Sequence, residues 1–225
     1  MKIYAHRGFS GKYPEGSRTA YIKAAEIGVD GVECDIRLTR DGVPLCFHDA
    51  TTKRITGKSG RVSRLSLAQM RERYDLVTFE ELLKIAIEKK INLLVETKHP
   101  VRVGSKVEQM VVDLVNLYRN SIEAAGIKVV IMSFSYFAVR FLRQRYDHVG
   151  YVVKKPWRIR YSPVRLLALG IFLFREDSSL EAKLKDYDLF IWTANTAEEI
   201  AFARDCGATA VITNFPNIAK EVLAN

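Results

Sequence analysis

Gly28-Val-Asp-Gly-Val-Glu-Cys-Asp-Ile-Arg-Leu-Thr-Arg-Asp-Gly42 holds a helix end, a strand and a tight turn in fifteen residues. Gly28 ends the helix that Ser17 caps, since glycine readily takes the left-handed backbone of a helix C-terminus. Gly31 to Leu38 is then a strand, and Asp41-Gly42 is a tight turn into a short strand, Val43 to Phe47. Upstream, Lys2 to His6 is an apolar run that delivers a histidine. Strand, helix and strand in that order form a βαβ unit, whose crossover makes the two strands parallel. Alternation along Gly31 to Leu38 puts Glu33 and Asp35 on one face, just before the strand gives way to a loop.

The same alternation continues to the end of the chain. Ile91 to Thr97, Lys128 to Phe134, Val149 to Val153, Ile171 to Phe174, Leu189 to Thr193 and Thr209 to Thr213 are the other predicted strands. Thr78 caps a helix to about Lys90, with Leu82, Leu83, Ala86 and Ile87 at helical spacing. Further helices are predicted at Ser105 to Ala125, Phe137 to Arg145, Ser179 to Lys185, Ala197 to Cys206 and Pro216 to Leu223. Ala50 to Asp75, polar and basic with Gly57 and Gly60, reads as a short insertion over the end of the sheet. Eight units in 225 residues close most naturally into a single-domain α/β fold, the (β/α)8 TIM barrel. Its reactive residues sit at the C-terminal ends of the strands. An open doubly wound sheet is the competing architecture. It asks for a Gly-rich phosphate turn after the first strand, and His6-Arg-Gly-Phe-Ser-Gly11 does not supply one.

No run of about eighteen apolar residues is present, so a spanning helix is not expected. Met1-Lys-Ile-Tyr-Ala-His6 runs straight into a strand that carries a candidate catalytic residue, unlike a cleaved leader. Cys34, Cys46 and Cys206 are too few and odd in number for a disulfide framework, which points to the cytoplasm. The formal charge is +9. From Arg140 to Arg175 there are nine Lys or Arg residues against one acid, Asp147; a second basic cluster runs from Lys53 to Arg64. Phosphate esters or anionic lipid headgroups are the partners such patches favour, unless they only aid solubility. No nucleic-acid module interrupts the barrel pattern, so no nucleic acid is expected.

His6, the pair Glu33 and Asp35, His48 and Glu96 all stand at strand ends. Glu96 and Lys98 share a face by the same alternation. Three converging carboxylates repel one another unless a cation sits among them, and Mg²⁺ or Ca²⁺ accepts such an all-oxygen set. The competing role for Glu33, Asp35 and Glu96 is simple pairing with Arg7 and Lys98. Beside a cation, His6 and His48 can divide general acid and general base work. Arg7 and Lys98 suit phosphate oxygens as well as carboxylates. Glu15, Lys154 and Trp192 are further substrate-pocket candidates, with Trp192 equally suited to the core. His99 and His148 read as surface or loop residues.

These residues carry a family resemblance. His6-Arg7-Gly8, the stretch Gly28 to Gly42, His48-Asp49, Glu96-Thr-Lys98, Trp192-Thr-Ala-Asn195 and Gly207-Ala-Thr-Ala-Val-Ile-Thr-Asn-Phe-Pro216 resemble the motifs of the glycerophosphodiester phosphodiesterases, in order, from Tyr4 to about Ile218. The resemblance implies a metal-dependent TIM barrel hydrolysing glycerophosphodiesters to glycerol 3-phosphate and an alcohol, with His6 and His48 as the acid–base pair. It also implies that the substrate's own glycerol hydroxyl attacks, giving a cyclic phosphate that water opens. Lysophospholipase D-type hydrolysis of lysophospholipids is one alternative. A catalytically silent barrel that binds phosphodiesters or lipid is the other. The family's Pro-Glu-Asn-Thr is here Pro14-Glu-Gly-Ser17, and its Thr-Asp-x-Pro is Thr213-Asn-Phe-Pro216. Neither departure is expected to touch the histidines or the metal set.

Trp157 to Phe174 mixes basic and aromatic residues before nine consecutive apolar ones. A helix packed on the barrel and then the sixth strand is the plain reading; weak contact with an anionic membrane surface is the sharper one.

Overall fold

Strands form at short apolar runs bounded by turn residues, and several helices start where a Ser or Thr side chain caps an amphipathic segment. The computed structural model describes residues 1–99, 104–177 and 179–224. The strands are β1 (Lys2–His6), β2 (Gly31–Leu38), β3 (Pro44–Cys46), β4 (Asn92–Thr97), β5 (Val129–Ser133), β6 (Val149–Val153), β7 (Leu166–Gly170), β8 (Asp188–Trp192) and β9 (Ala210–Thr213). All pairings are parallel except that of β3, which lies antiparallel on the outer part of β2. β1 pairs with both β9 and β2, so the eight parallel strands close into a ring. This is the expected (β/α)8 barrel.

Period two then decides what lies inside. Tyr4, Leu94, Val130, Met132, Val152, Ala168, Phe190, Ala210 and Ile212 form an interior cluster of their own, with the Tyr4 and Phe190 rings 5.6 Å apart. Gly31 completes this plug: a Cβ there would stand 2.5 Å from the Tyr4 ring. Moving two or four residues toward the C-terminal end on each strand leads from the plug to the polar residues above it. Tyr4 leads to His6, Gly31 to Glu33 and Asp35, Leu94 to Glu96 and Lys98, Val152 to Lys154, and Phe190 to Trp192. An apolar floor with a polar layer above it follows from alternation alone.

The other strand faces pack against the helices, which cap as the sequence predicts. Ser17 accepts from the backbone of Ala20. Thr78 and Glu81 form a full capping box ahead of Phe79–Lys89. Three departures from the predicted elements stand out. The strand expected at Ile171 to Phe174 lies at Leu166–Gly170, and Phe172–Glu176 is helical. A continuous apolar run carries no period, so it cannot mark which half is strand. The predicted helix Ser105 to Ala125 breaks at Tyr118 into Lys106–Leu117 and Arg119–Ala125, and the Tyr118 hydroxyl donates to Glu80 at 2.6 Å. The insertion Ala50 to Asp75 holds short helices and packs Val62 and Met70 on Leu45, Phe47 and Leu76. No helix among the described residues is long and apolar enough to cross a membrane.

Candidate active site

The C-terminal end of the barrel opens into a cavity of about 400 Å³ lined by His6, Arg7, Glu33, His48, Glu96, Lys98, Lys154 and Trp192, among others. Eight of the ten residues singled out in the sequence therefore share one cavity. Asp35 lies just beneath it, and Glu15 sits behind Arg7.

Arg7 is held in an unusual backbone shape, with φ at 56°. A non-glycine residue in this left-handed region costs energy and persists only when its surroundings hold it there. Here the Arg7 N–H donates to the Glu33 carbonyl at 3.0 Å and to Glu33 Oε2 at 3.2 Å. Gly8 follows at φ 77°, where a Cβ would meet the Ala20 backbone at 2.6 Å, so the His-Arg-Gly turn needs its glycine. Its guanidinium then spans Asp35, with Nε 2.9 Å from Oδ2, and Glu15, with Nη1 2.9 Å from Oε1.

Glu33, Asp35 and Glu96 are all buried, and one oxygen from each can be chosen so that all lie within 4.8 Å. Burial, then the neighbouring Asp35, pushes Glu33 well above the usual carboxylate range. The same two causes raise Glu96 to about 7. Burial also pushes Asp35 upward, but Lys98 and Arg7 outweigh it and hold the group below its ordinary value. Lys98 Nζ lies 2.8 Å from Asp35 Oδ1 and 2.5 Å from Glu96 Oε1. Asp35 Oδ2, beside Arg7 Nε at 2.9 Å, and Glu96 Oε1, beside Lys98 Nζ, are thus held by ion pairs. Three buried carboxylates that cannot all ionise comfortably, each with an oxygen within 4.8 Å of the others, fit a hard divalent cation.

The two histidines have different partners. His6 Nδ1 lies 2.7 Å from Asn214 Oδ1, which also accepts from the Ser10 hydroxyl at 2.9 Å. An amide oxygen can only accept, so Nδ1 carries the proton and Nε2 keeps its lone pair, 3.8 Å from Glu33 Oε2. Burial, then Arg7, lowers His6 to about 4. This contact corrects the expectation that the change at Asn214 leaves the histidines untouched. His48 Nδ1 instead faces a carboxylate, Asp49 Oδ1, at 2.8 Å. Burial still lowers His48, although Asp35 and the Asp49 hydrogen bond work against it.

Arg54, from the insertion, was not legible as a site residue. It bonds both oxygens of Glu15, at 2.8 and 2.9 Å, and donates through Nε to Asp49 Oδ2 at 2.6 Å. It thereby ties the first loop, which backs Arg7, to the acid that holds His48. His99, read from sequence as a loop residue, also lines the cavity and meets the buried Glu108 at 2.8 Å. Arg7 and Lys98 are paired with carboxylates, as the competing reading of the sequence has them, and both also line the cavity. Trp192 forms an apolar wall with Phe134, rings 5.7 Å apart, and its indole N–H has no partner among the described residues. His148 lies at the opposite end of the barrel.

The Arg54 clamp gives a pH prediction. Partial burial raises Asp49, but Arg54 and then His48 outweigh it and hold the group at about 2. The folded value lies below the unfolded one, ~3.9. Asp49 thus contributes stability that is complete above pH ~4 and lost as pH falls through about 2. Arg54→Ala is expected to cost ~0.5–1 kcal/mol near neutrality, because the arginine stands half in solvent. It is also expected to flatten the acid limb of a stability–pH curve between ~4 and about 2. Superimposable acid limbs for wild type and variant would show that the clamp does not set Asp49.

A model of the glycerophosphoryl diester phosphodiesterase family matches residues 6–218. A Mycobacterium tuberculosis protein named "Probable glycerophosphodiester phosphodiesterase 1" is 32% identical over 97% of this chain and 90% of its own length. The glycerophosphodiester phosphodiesterase of Caldanaerobacter subterraneus is 26% identical over 95% of this chain and 94% of its own. Among solved structures, an Oleispira antarctica phosphodiesterase in complex with the product sn-glycerol-3-phosphate superimposes with a TM-score of 0.85 at 21% identity, covering 100% of this chain and 97% of that one. The glycerophosphodiester phosphodiesterase of Thermotoga maritima gives 0.80 at 21% identity, over 100% and 98%.

Proposed function

This chain belongs to the glycerophosphoryl diester phosphodiesterase family, and we propose that it hydrolyses glycerophosphodiesters to glycerol 3-phosphate and an alcohol with the help of a divalent cation, Mg²⁺ or Ca²⁺. The observation that carries this is the meeting of three buried carboxylates, two cations and two differently partnered histidines in and just beneath one cavity above the barrel plug. Glu33, Asp35 and Glu96 would hold the cation, which supplies positive charge toward the phosphoryl oxygens. Arg7 and Lys98 add fixed positive charge at the same wall and leave the site less anionic toward a phosphodiester.

The partners of the histidines support a division of labour. His6, with Nδ1–H given to a neutral amide, presents an unprotonated Nε2 and suits the base. His48, whose Nδ1–H faces a carboxylate, has the charge beside it that an imidazolium needs and suits the acid. His6 Nε2 would take the proton of the glycerol hydroxyl as its oxygen bonds to phosphorus. The bond from phosphorus to the alcohol oxygen breaks, and His48 gives that oxygen a proton. Water then opens the cyclic phosphate, with the two residues reversing roles. Lys154 and Trp192 border the space left for the glycerol or alcohol. A cytoplasmic setting accords with three unpaired cysteines.

A second reading has its own observation. Met132, Phe134, Val152, Trp192 and Ile212 give one side of the cavity an apolar lining, which suits the acyl chain of a lysophospholipid. The test is product identity with glycerophosphocholine. Glycerol 3-phosphate and choline are expected. Phosphocholine and glycerol would contradict the reading, and turnover confined to lysophosphatidylcholine would transfer it to the second.

A further inference from the structure

Exposed large apolar side chains are normally scattered, and singly they mean nothing. Here Phe137, Trp157, Tyr161 and Phe172 all follow the C-terminal ends of three adjacent strands, β5, β6 and β7, and all are at least 42% exposed. They therefore lie on one side of the rim of the candidate active-site cavity.

The turn after β6 is built to present its side chains outward. Pro156–Tyr161 is a single 3-10 segment anchored by Ile159, which is buried in the main core. Trp157, Arg158, Arg160 and Tyr161 are left on the outside. The Trp157 and Tyr161 rings meet edge to face at 6.3 Å. Each carries an arginine: Arg158 lies 5.4 Å from the Trp157 ring and Arg160 lies 4.5 Å from the Tyr161 ring. In the chain segments 134–140, 154–161 and 171–174 there is no acid, and Lys154, Lys155, Arg158, Arg160 and Arg140 are all cationic. The opposite side of the rim differs: there Arg54 is spent on Glu15 and Asp49.

The apolar surface is also continuous with the cavity. Phe172 packs edge to face on Trp192 at 6.1 Å, Trp192 on Phe134 at 5.7 Å, and Lys154 Nζ stands 4.5 Å from the Phe134 ring. Two exposed rings that each bear an arginine, beside chain segments 134–140, 154–161 and 171–174 that hold no acid, match the interface of an anionic bilayer, where rings sit at headgroup level and cations meet phosphates.

We propose that the rim after β5, β6 and β7 docks on an anionic lipid surface, with Phe137, Trp157 and Tyr161 entering the interface and Lys155, Arg158 and Arg160 meeting headgroup phosphates. Docked in this way, the cavity opens onto the lipid, and the aromatic strip offers a path for a chain drawn from it. The proposal rests on the reading above only for where the cavity lies, and binding is measured without turnover.

The experiment is co-flotation of the whole protein with vesicles of phosphatidylcholine alone, or of equimolar phosphatidylcholine and phosphatidylglycerol, at low and high salt. Binding to the anionic vesicles at low salt is expected, with a blue shift of tryptophan emission. Raising the salt, which shortens the Debye length to about 3 Å at 1 M, is expected to weaken it strongly. Arg158→Gln with Arg160→Gln is expected to lower partitioning ~20- to 30-fold, two charges each contributing about fivefold. Trp157→Ser is expected to lower it ~10-fold and abolish the blue shift. Both variants should hydrolyse a water-soluble phosphodiester at the wild-type rate. Equal binding to both vesicle types, no binding to either, or binding indifferent to the arginines would overturn the proposal. So would retention on single-stranded RNA by a protein that ignores vesicles.

Discussion

His6→Ala and His48→Ala are each expected to lower turnover of glycerophosphocholine by ~10²–10⁴-fold, the range general acid–base groups supply. Thermal unfolding should be little changed, because both side chains face the cavity and neither belongs to the apolar plug. The variants should differ in one respect. A phosphodiester with a nitrophenolate leaving group needs little protonation as it departs. His48→Ala should therefore recover most of its rate on that substrate, while His6→Ala should not. Equal recovery would contradict the division read from Asn214 and Asp49. Near-normal activity of either variant on glycerophosphocholine would remove that histidine from the reaction.

Glu33→Gln is expected to move activity and stability in opposite directions. The side chain is 2% exposed, and burial together with Asp35 makes its ionised form costly when no cation is present. Glutamine keeps the shape and removes the charge, so the variant treated with a chelator should melt at the wild-type temperature or above it. It also loses one ligand atom. Activity should fall at least ~100-fold, the upper end of what changes around a metal's outer ligands cost. A saturating cation should raise the wild-type melting temperature by ~5–10 °C, and raise that of Glu33→Gln far less. Equal stabilisation of both proteins by Mg²⁺ or Ca²⁺ would show that Glu33 is not a ligand.

The ring of strands could be read from the sequence because every strand but Leu166–Gly170 is short, apolar and closed by a turn or cap, so there pattern and fold agree. The site could be read for the same reason: period two lifts His6, Glu33, Asp35, Glu96, Lys98 and Trp192 from the plug to the same end of the barrel. Residues joined only by closure of the barrel could not be found this way. Asn214 reaches His6 across 208 positions of sequence, and no local pattern announces that contact. Arg54 looked like one more basic residue of a polar insertion, and only its bonds to Glu15 and Asp49 distinguish it. The strand placed at Ile171 to Phe174 failed for a different reason. Leu166 to Phe174 is apolar throughout, and the chain turns at Gly170, where a Cβ would strike the Phe172 ring. His99 was passed over because a lone loop histidine carries no signal until its partner, the fully buried Glu108, is seen beside it.

The most direct measurement is release of glycerol 3-phosphate from glycerophosphocholine after chelation with EDTA, repeated with Mg²⁺ or Ca²⁺ restored. The account expects no release after chelation and recovery with one of the two cations. Full release in the presence of excess EDTA would contradict the claim that Glu33, Asp35 and Glu96 gather to hold a cation for the reaction.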